Sequence, residues 1–534
     1  MIPGSANPLL LASAEADAYE IERSLRFNSS DSAYLSRTPS VAGNRKTWTW
    51  AGWVKRSNLG GWNVLFGASN GDALRYDANN TDKISFNNSG TALLITPAVY
   101  RDTSAWYHIV CSVNTTLSSN RVKLYVNGEL ATQGDPYIQN EDTPFNATAE
   151  HNIGRNPGTT TRLFDGYLAD IHFIDGQALD PTSFGEFDDN DVWQPIEYTG
   201  TYGTNGFHLP FSDNSTAAAL GTDTSGNGNT WTVNNISVTA GAANDSLVDV
   251  PTNGTETDTG VGGEVRGNYC TWNPLTLVNG GSLSNGNLDA VLAGGSSADN
   301  CKGTILVSSG KWYYEVTIGS GTNDERGSYG WITPELADSS TVRDGAVIFR
   351  GASATQQYYI DGSGTSYGVQ VGTGDVIGCA LDLDSNTTQW YINGSAQGSV
   401  SIPDRVYTPY LIQDTAATNT LATVVNFGQR PFAYAAPSGY KALCTANLPS
   451  TTITTSGSYT GNGVADGPFV YLNGVPTAMT VGGNAVTFGT DADKLSNGFK
   501  IRTTSTTYNQ NASTYSYTIT STGDPFKTAR AQSN

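Results

Sequence analysis

"WTWAGWVKR", Trp48–Arg56, places three tryptophans within six residues of a chain otherwise rich in Ser, Thr, Asn and Gly. In an extended strand the side chains alternate, so Trp48, Trp50, Gly52 and Val54 share one face while Thr49, Ala51, Trp53 and Lys55 share the other. The first set is apolar and belongs between the two sheets of a sandwich. Burying Trp48 and Trp50 removes on the order of 150–250 Å² each from water. Trp53 is the ring left for the opposite face. There it is a candidate ligand platform, although packing under a covering loop or a second subunit is the stronger expectation.

The rest of the chain agrees with a strand-rich reading. A length of 534 residues predicts three or four domains. Only 14% of residues are charged, and 60 glycines punctuate short runs of Val, Tyr, Thr and Ile, which favours an almost all-β protein. A net charge of -20 opposes a nucleic-acid partner, which needs clustered Lys and Arg. No stretch approaches the ~20 apolar residues of a spanning helix, so no membrane insertion is expected. The start lacks a basic residue before Arg23 and does not read as a secretory signal. Five cysteines (Cys111, Cys270, Cys301, Cys379, Cys444) are widely spaced without a C-x-x-C pair. Those in "HIVCSV" and "VIGCAL" read as buried thiols.

Composition divides the chain into an N-terminal arm (1–23), a strand-rich block (24–236), a Gly/Thr/Asp-rich linker (237–267) that packs on its neighbours or spans between them, a second strand-rich block (268–449) and a small C-terminal β domain (450–534). "SLRFNSSDSAYLSR" (24–37) reads as an opening hairpin, and "WYHIVCSVNTTLSSNRVKLYVNGEL" (106–130) as two strands ending in an Asn127-Gly128 turn suited to a tight hairpin. With "FDGYLADIHFIDGQAL" (164–179) these segments resemble, in order, the laminin G or pentraxin type of concanavalin A-like jelly roll. The segment 207–232 matches less well and reads like the opening of a further such domain. The resemblance implies two antiparallel sheets, a concave face that often binds glycans and, in some members, calcium. It does not imply one activity.

In the second block "GKWYYEVTI" (310–318), "GSYGWIT" (327–333), "GDVIGCALDLDSNTTQWYINGSAQG" (374–398) and "VVNFGQRPFAYAAPSGY" (425–440) resemble a SPRY domain. That resemblance implies a bent sandwich whose loops recognise a protein or peptide. Arg326, Tyr358 and Tyr359 are the candidate anchors near those loops, with packing or solvation an equal expectation. The expected fold class is therefore all-β, built from multidomain antiparallel β-sandwiches. The pairing of both modules, with the character of the two ends, resembles structural or fibre-like proteins of tailed phages.

The search for chemistry yields decoys. A retaining glycosidase needs two carboxylates about 5–5.5 Å apart. The nearest string, "EFDDND" (186–191), lacks the final Glu of the E-x-D-x-E pattern and lies among turn residues. "GTSYG" (364–368) matches G-x-S-x-G without the helix a nucleophile elbow requires. His108, His151, His172 and His208 are scattered singly, and His108 and His172 read as structural residues. "DLDSN" (382–386), "DTSGNGN" (223–229) and "DDND" (188–191) suit a hard cation such as calcium, but Asp and Asn dominate turns for local reasons, and no ion is assigned. No cofactor is expected. The overall expectation is a non-enzymatic virion protein on the tail or capsid surface. It is a fibre- or adhesin-like element that meets other virion proteins through the arm and a host glycan or surface protein through its sandwiches. It is expected to be a homo-oligomer, with a trimer inferred from the class alone. The alternatives are an architectural decoration or adaptor protein and a glycan depolymerase.

Overall fold

The computed structural model describes residues 19–69, 71–77, 79, 82–88, 91–188, 192–278, 280–293, 298–319, 327–334, 344–351, 356–414, 420–448, 456–472 and 475–522. The first block runs through β1 (Ser24–Phe27), β2 (Tyr34–Arg37), β3 (Thr47–Arg56), β4 (Asn63–Ser69), β5 (Asp72–Asp77), β6 (Lys83–Asn88) and β7 (Thr91–Ile95). It continues through β8 (Tyr107–Asn114), β9 (Val122–Val126), β10 (Glu129–Gly134), β11 (His151–Ile153) and β12 (Gly166–Asp175), then a hairpin of β13 (Gly185–Phe187) and β14 (Trp193–Pro195). It closes with β15 (Phe207–Leu209), β16 (Thr232–Asn234) and β17 (Ser246–Leu247). An eight-stranded sheet has the order β10-β9-β8-β3-β12-β1-β17, with β15 also on β12, and a seven-stranded sheet has the order β16-β2-β11-β4-β5-β6-β7.

The parity of β3 is as its sequence dictates. Trp48, Trp50 and Val54 pack between the sheets with Phe66, Phe145 and Phe173. At ~25 cal/mol per Å², each buried indole contributes roughly 4–6 kcal/mol as an upper bound. The Asn127-Gly128 turn between β9 and β10 has φ of 50° and 82°, the left-handed pair a tight hairpin needs.

Two local expectations are corrected. Residues 24–37 do not form a hairpin: β1 pairs with β12 in one sheet and β2 with β11 in the other. A 3-10 turn, Ser29–Asp31, capped by Asn28 Oδ1, carries the chain between the sheets. The segment 207–232 does not open a further domain. It places β15 on one sheet, β16 begins on the other as it ends, and Phe207, Leu209, Phe211 and Trp231 enter the same core.

The second block is another sandwich. One sheet runs Ser282–Ser284, Asp289–Leu292, Leu421–Asn426, Lys311–Ile318, Val376–Asp382, Thr387–Ile392 and Ser395–Ser401, with Lys441–Ala442 beside Lys311–Ile318. The other runs Asp299–Lys302, Thr408–Gln413, Gly327–Ile332, Ala346–Gly351, Gln356–Ile360 and Ser363–Ser366. A C-terminal unit holds a four-stranded and a three-stranded sheet over its own apolar cluster.

The segment 237–267 is part of the fold. β17 extends the eight-stranded sheet beside β1, and Leu247 and Val250 join a cluster that runs from Trp53, Trp106 and Tyr167 of the first sandwich into Trp272, Tyr314 and Trp331 of the second. At the seam Lys55 Nζ, wholly buried, donates to Asp249 Oδ2 (2.8 Å), Asn268 Oδ1 (2.7 Å) and the Tyr269 carbonyl (2.9 Å). Burial pushes the Asp249 carboxyl up, and Lys55 opposes that shift. The C-terminal unit docks on both blocks, through Ser496 N to Asp102 Oδ2 (2.7 Å) and Tyr471 OH to the Gly303 carbonyl (2.6 Å).

Candidate functional site

Trp53 lies on the outer face of the eight-stranded sheet, as its position in β3 requires, but it is 1% exposed. Its ring packs 5.0 Å from that of His108, and His108 stacks at 5.9 Å on Trp193 of β14. Trp193 Nε1 donates to His108 Nδ1 (3.0 Å). Gly128 and Gly185 let that indole sit close to the backbone, because a Cβ at either would lie 2.4–2.5 Å from it. The roof, and the second sandwich beyond it, remove Trp53 from any ligand, so the ring is not a ligand platform and packs, as the stronger of the two expectations had it. Burial pushes His108 down to about 3.

Beside the roof the structure assembles histidines that the sequence scatters. In β12 the register skips between Ala169 and His172, and Asp170 takes φ of 50° in this bulge. His172 faces His208 of β15 across the ladder, and their rings stack at 4.2 Å with planes 8° apart. Asp170 accepts from His208 Nε2 (2.7 Å), His172 Nε2 (3.3 Å) and Tyr19 OH (2.9 Å). Tyr202 OH lies 2.9 Å from His172 Nδ1 and Thr224 Oγ1 2.8 Å from His208 Nδ1, each a donor to a ring that carries its proton on Nε2. Burial raises the Asp170 carboxyl, but the two imidazoles outweigh it and hold it well below the usual range; burial lowers His172.

Two imidazoles and a carboxylate are a zinc-type donor set, and their ligand atoms lie within 4.8 Å of one another. The geometry is nevertheless that of a closed hydrogen-bond network. Imidazole lone pairs lie in the ring plane, and those of two parallel rings do not converge on one ion about 2 Å from each. No spacing in the sequence signals this cluster, since it exists only through the β12–β15 register.

At the other end of the same face the roof stops. A cleft of about 230 Å³ opens over β8 and β9, lined by Ser112, Asn114, Leu117, Asn120, Arg121, Lys123, Tyr125, Ala178, Leu179 and Asp180. Arg121 is spent on Asp135 (3.0 Å) and on the Leu117 and Ser118 carbonyls. Asp180 caps the following 3-10 turn through Thr182 N (3.0 Å). Among the described residues, Lys123 Nζ makes no ion pair or hydrogen bond, so it is the one uncommitted cation lining the cleft. Tyr125, half-buried, has its phenol raised by burial and by Asp180.

The other sites resolve as follows. Tyr358 and Tyr359 lie in Gln356–Ile360 and point to opposite faces of their sheet. Tyr359 is 8% exposed, packs with Ile332, Ile348, Tyr410 and Ile412, and donates to Gln357 Oε1 (2.7 Å), so it is a packing residue. Tyr358 is half-buried, edge-on to Tyr367 at 5.4 Å. Arg326 and residues 189–191 lie outside the described residues. Glu186 of β13 is exposed opposite Gln194. "GTSYG" is part of a hairpin. In "DTSGNGN" Asp223 accepts from the backbone of His208, Ser225 and Asn229, and in "DLDSN" Asp382 accepts from Asp384 and Ser385 N and pairs with Lys311. These carboxylates are occupied by donors, as turn chemistry requires.

Two known families match parts of the chain. Residues 27–183 match the family described as the concanavalin A-like lectin/glucanases superfamily, and residues 311–405 match the SPRY domain. The chain contains both domains. An ATP-dependent RNA helicase, Ddx1, of Drosophila melanogaster is 29% identical over 153 residues, which is 27% of this chain and 19% of the helicase. The chain thus spans about a fifth of the length of that curated relative. Among solved structures, the SPRY domain of human HERC1 is 16% identical, covering 29% of this chain and 96% of that domain with a TM-score of 0.25. The TRIM65 PSpry domain is 15% identical, covering 29% and 91% with a TM-score of 0.24.

Proposed function

We propose that the chain is a non-catalytic virion component, displayed on a tail or capsid surface, that contacts a host glycan or surface protein through its sandwiches. The observation that carries this reading is the outer face of the lectin-type sheet, which is roofed by Trp193 and the SPRY sandwich and carries the open polar cleft of Lys123. A small open cleft beside packed sandwiches suits recognition. Glu186 lies exposed opposite Gln194, and Asp170 is committed to its histidine hydrogen bonds. The virion setting, attachment through residues 1–23 and a trimeric state rest on the whole-chain resemblance alone. Purified labelled chain is expected to bind host cells saturably and to compete with particle adsorption. Absence of binding contradicts the proposal.

An architectural role is the second reading, favoured by Leu117, Leu130 and Ile138, which are 41, 49 and 74% exposed around the open β10 edge. Contact of these residues with a neighbouring subunit supports it.

A further inference from the structure

We propose that the cleft over β8 and β9 binds one acidic sugar unit, a uronate or another carboxylated pyranose, with Lys123 anchoring its carboxylate. This rests on the recognition reading above and gives it a ligand class. At about 230 Å³ the cleft falls below the ~300–1,000 Å³ of sites for drug-sized ligands and suits a single ring. Its lining is of two kinds. Ser112, Asn120 and Tyr125 offer hydroxyl and amide groups that can both donate and accept, as sugar hydroxyls require. Leu117, Leu179 and the Tyr125 ring offer apolar surface to the C–H face of a pyranose.

Charge selects among sugars. Arg121 is tied to Asp135 and to backbone carbonyls, leaving the Lys123 ammonium as the cation free to meet an anion. A flexible ammonium is a compact point charge with three donors, able to meet a single carboxylate oxygen and a neighbouring ring hydroxyl together. Asp180 lines the same cleft but is exposed and committed to its cap on Thr182, so the sugar carboxylate is placed at the Lys123 end.

The test is saturation-transfer NMR on the full chain with D-glucuronate and with D-glucose as the neutral control. Glucuronate is expected to bind about tenfold or more tightly than glucose, with that margin lost in Lys123→Met and retained in Lys123→Arg, since one charge-assisted hydrogen bond is worth about 1.5–3 kcal/mol. Unchanged melting temperatures show that the variants fold. Equal binding of the two sugars, or glucuronate binding that survives Lys123→Met, overturns the proposal. Host-cell binding without glucuronate binding sinks this ligand class and leaves the recognition function standing. Glucuronate binding without cell binding does the reverse.

Discussion

Lys55 has no solvent exposure, and its ammonium is tolerated there only because Asp249, Asn268 and the Tyr269 carbonyl surround it. Removing one partner of such a pair leaves an uncompensated buried group, at a cost of about 3–5 kcal/mol. Asp249→Ala is therefore expected to lower the melting temperature sharply in calorimetry. Lys55→Met with Asp249→Leu is expected to recover much of the loss; equal loss in both variants contradicts the ion-pair account. A second residue-scale expectation concerns acid. His108 and His151 are buried, with folded values pushed down to about 3 and about 4. The unfolded chain binds protons below about pH 6.5 while these folded rings do not, so stability falls as pH drops from about 6.5 toward those values. Each ring contributes about 2–3 kcal/mol of loss by pH 4.5. Asp170, held low, adds its loss at still lower pH, as its carboxylate protonates. His108→Gln, which keeps an acceptor for Trp193, is expected to flatten the fall in melting temperature between pH 7 and 4.5. An unchanged slope rules out His108 as a source.

At the scale of elements, the roof over the eight-stranded sheet depends on Gly128 and Gly185 lying against Trp193. Gly185→Ala is expected to destabilise by about 1–3 kcal/mol through overpacking, and Gly128→Ala by more because its φ of 82° also strains a side chain. Chemical denaturation checks both; a neutral Gly185→Ala contradicts the close packing. Elements also mark how far the sequence could be read. The two faces of β3, the Asn127-Gly128 turn and the "WYINGS" hairpin follow from parity and turn chemistry, which are local. Which sheet receives β1 or β2, and which strand receives β15, depends on long-range pairing that no local spacing encodes. The Asp170–His172–His208 cluster was invisible for that reason. So was the fate of Trp53: its face could be assigned from β3, but the covering Trp193 lies 140 residues further along the chain.

At the scale of the whole molecule, one apolar cluster runs from Trp53 and Tyr167 through Leu247 and Val250 into the SPRY core, so the two sandwiches form one body and not two modules on a tether. Composition made residues 237–267 look like a linker because few of them are apolar. Yet β17, Asp249 and Leu247 do the joining. The Lys123 cleft opens on the outer face of the lectin-type sheet, and recognition of a host surface through it is the central claim. An electron cryomicroscopy reconstruction of the particle carrying the chain tests it most directly. The account predicts the chain on the particle surface with the cleft of Ser112, Lys123 and Tyr125 open to solvent. A cleft sealed by a neighbouring subunit, or a particle without the chain, contradicts it.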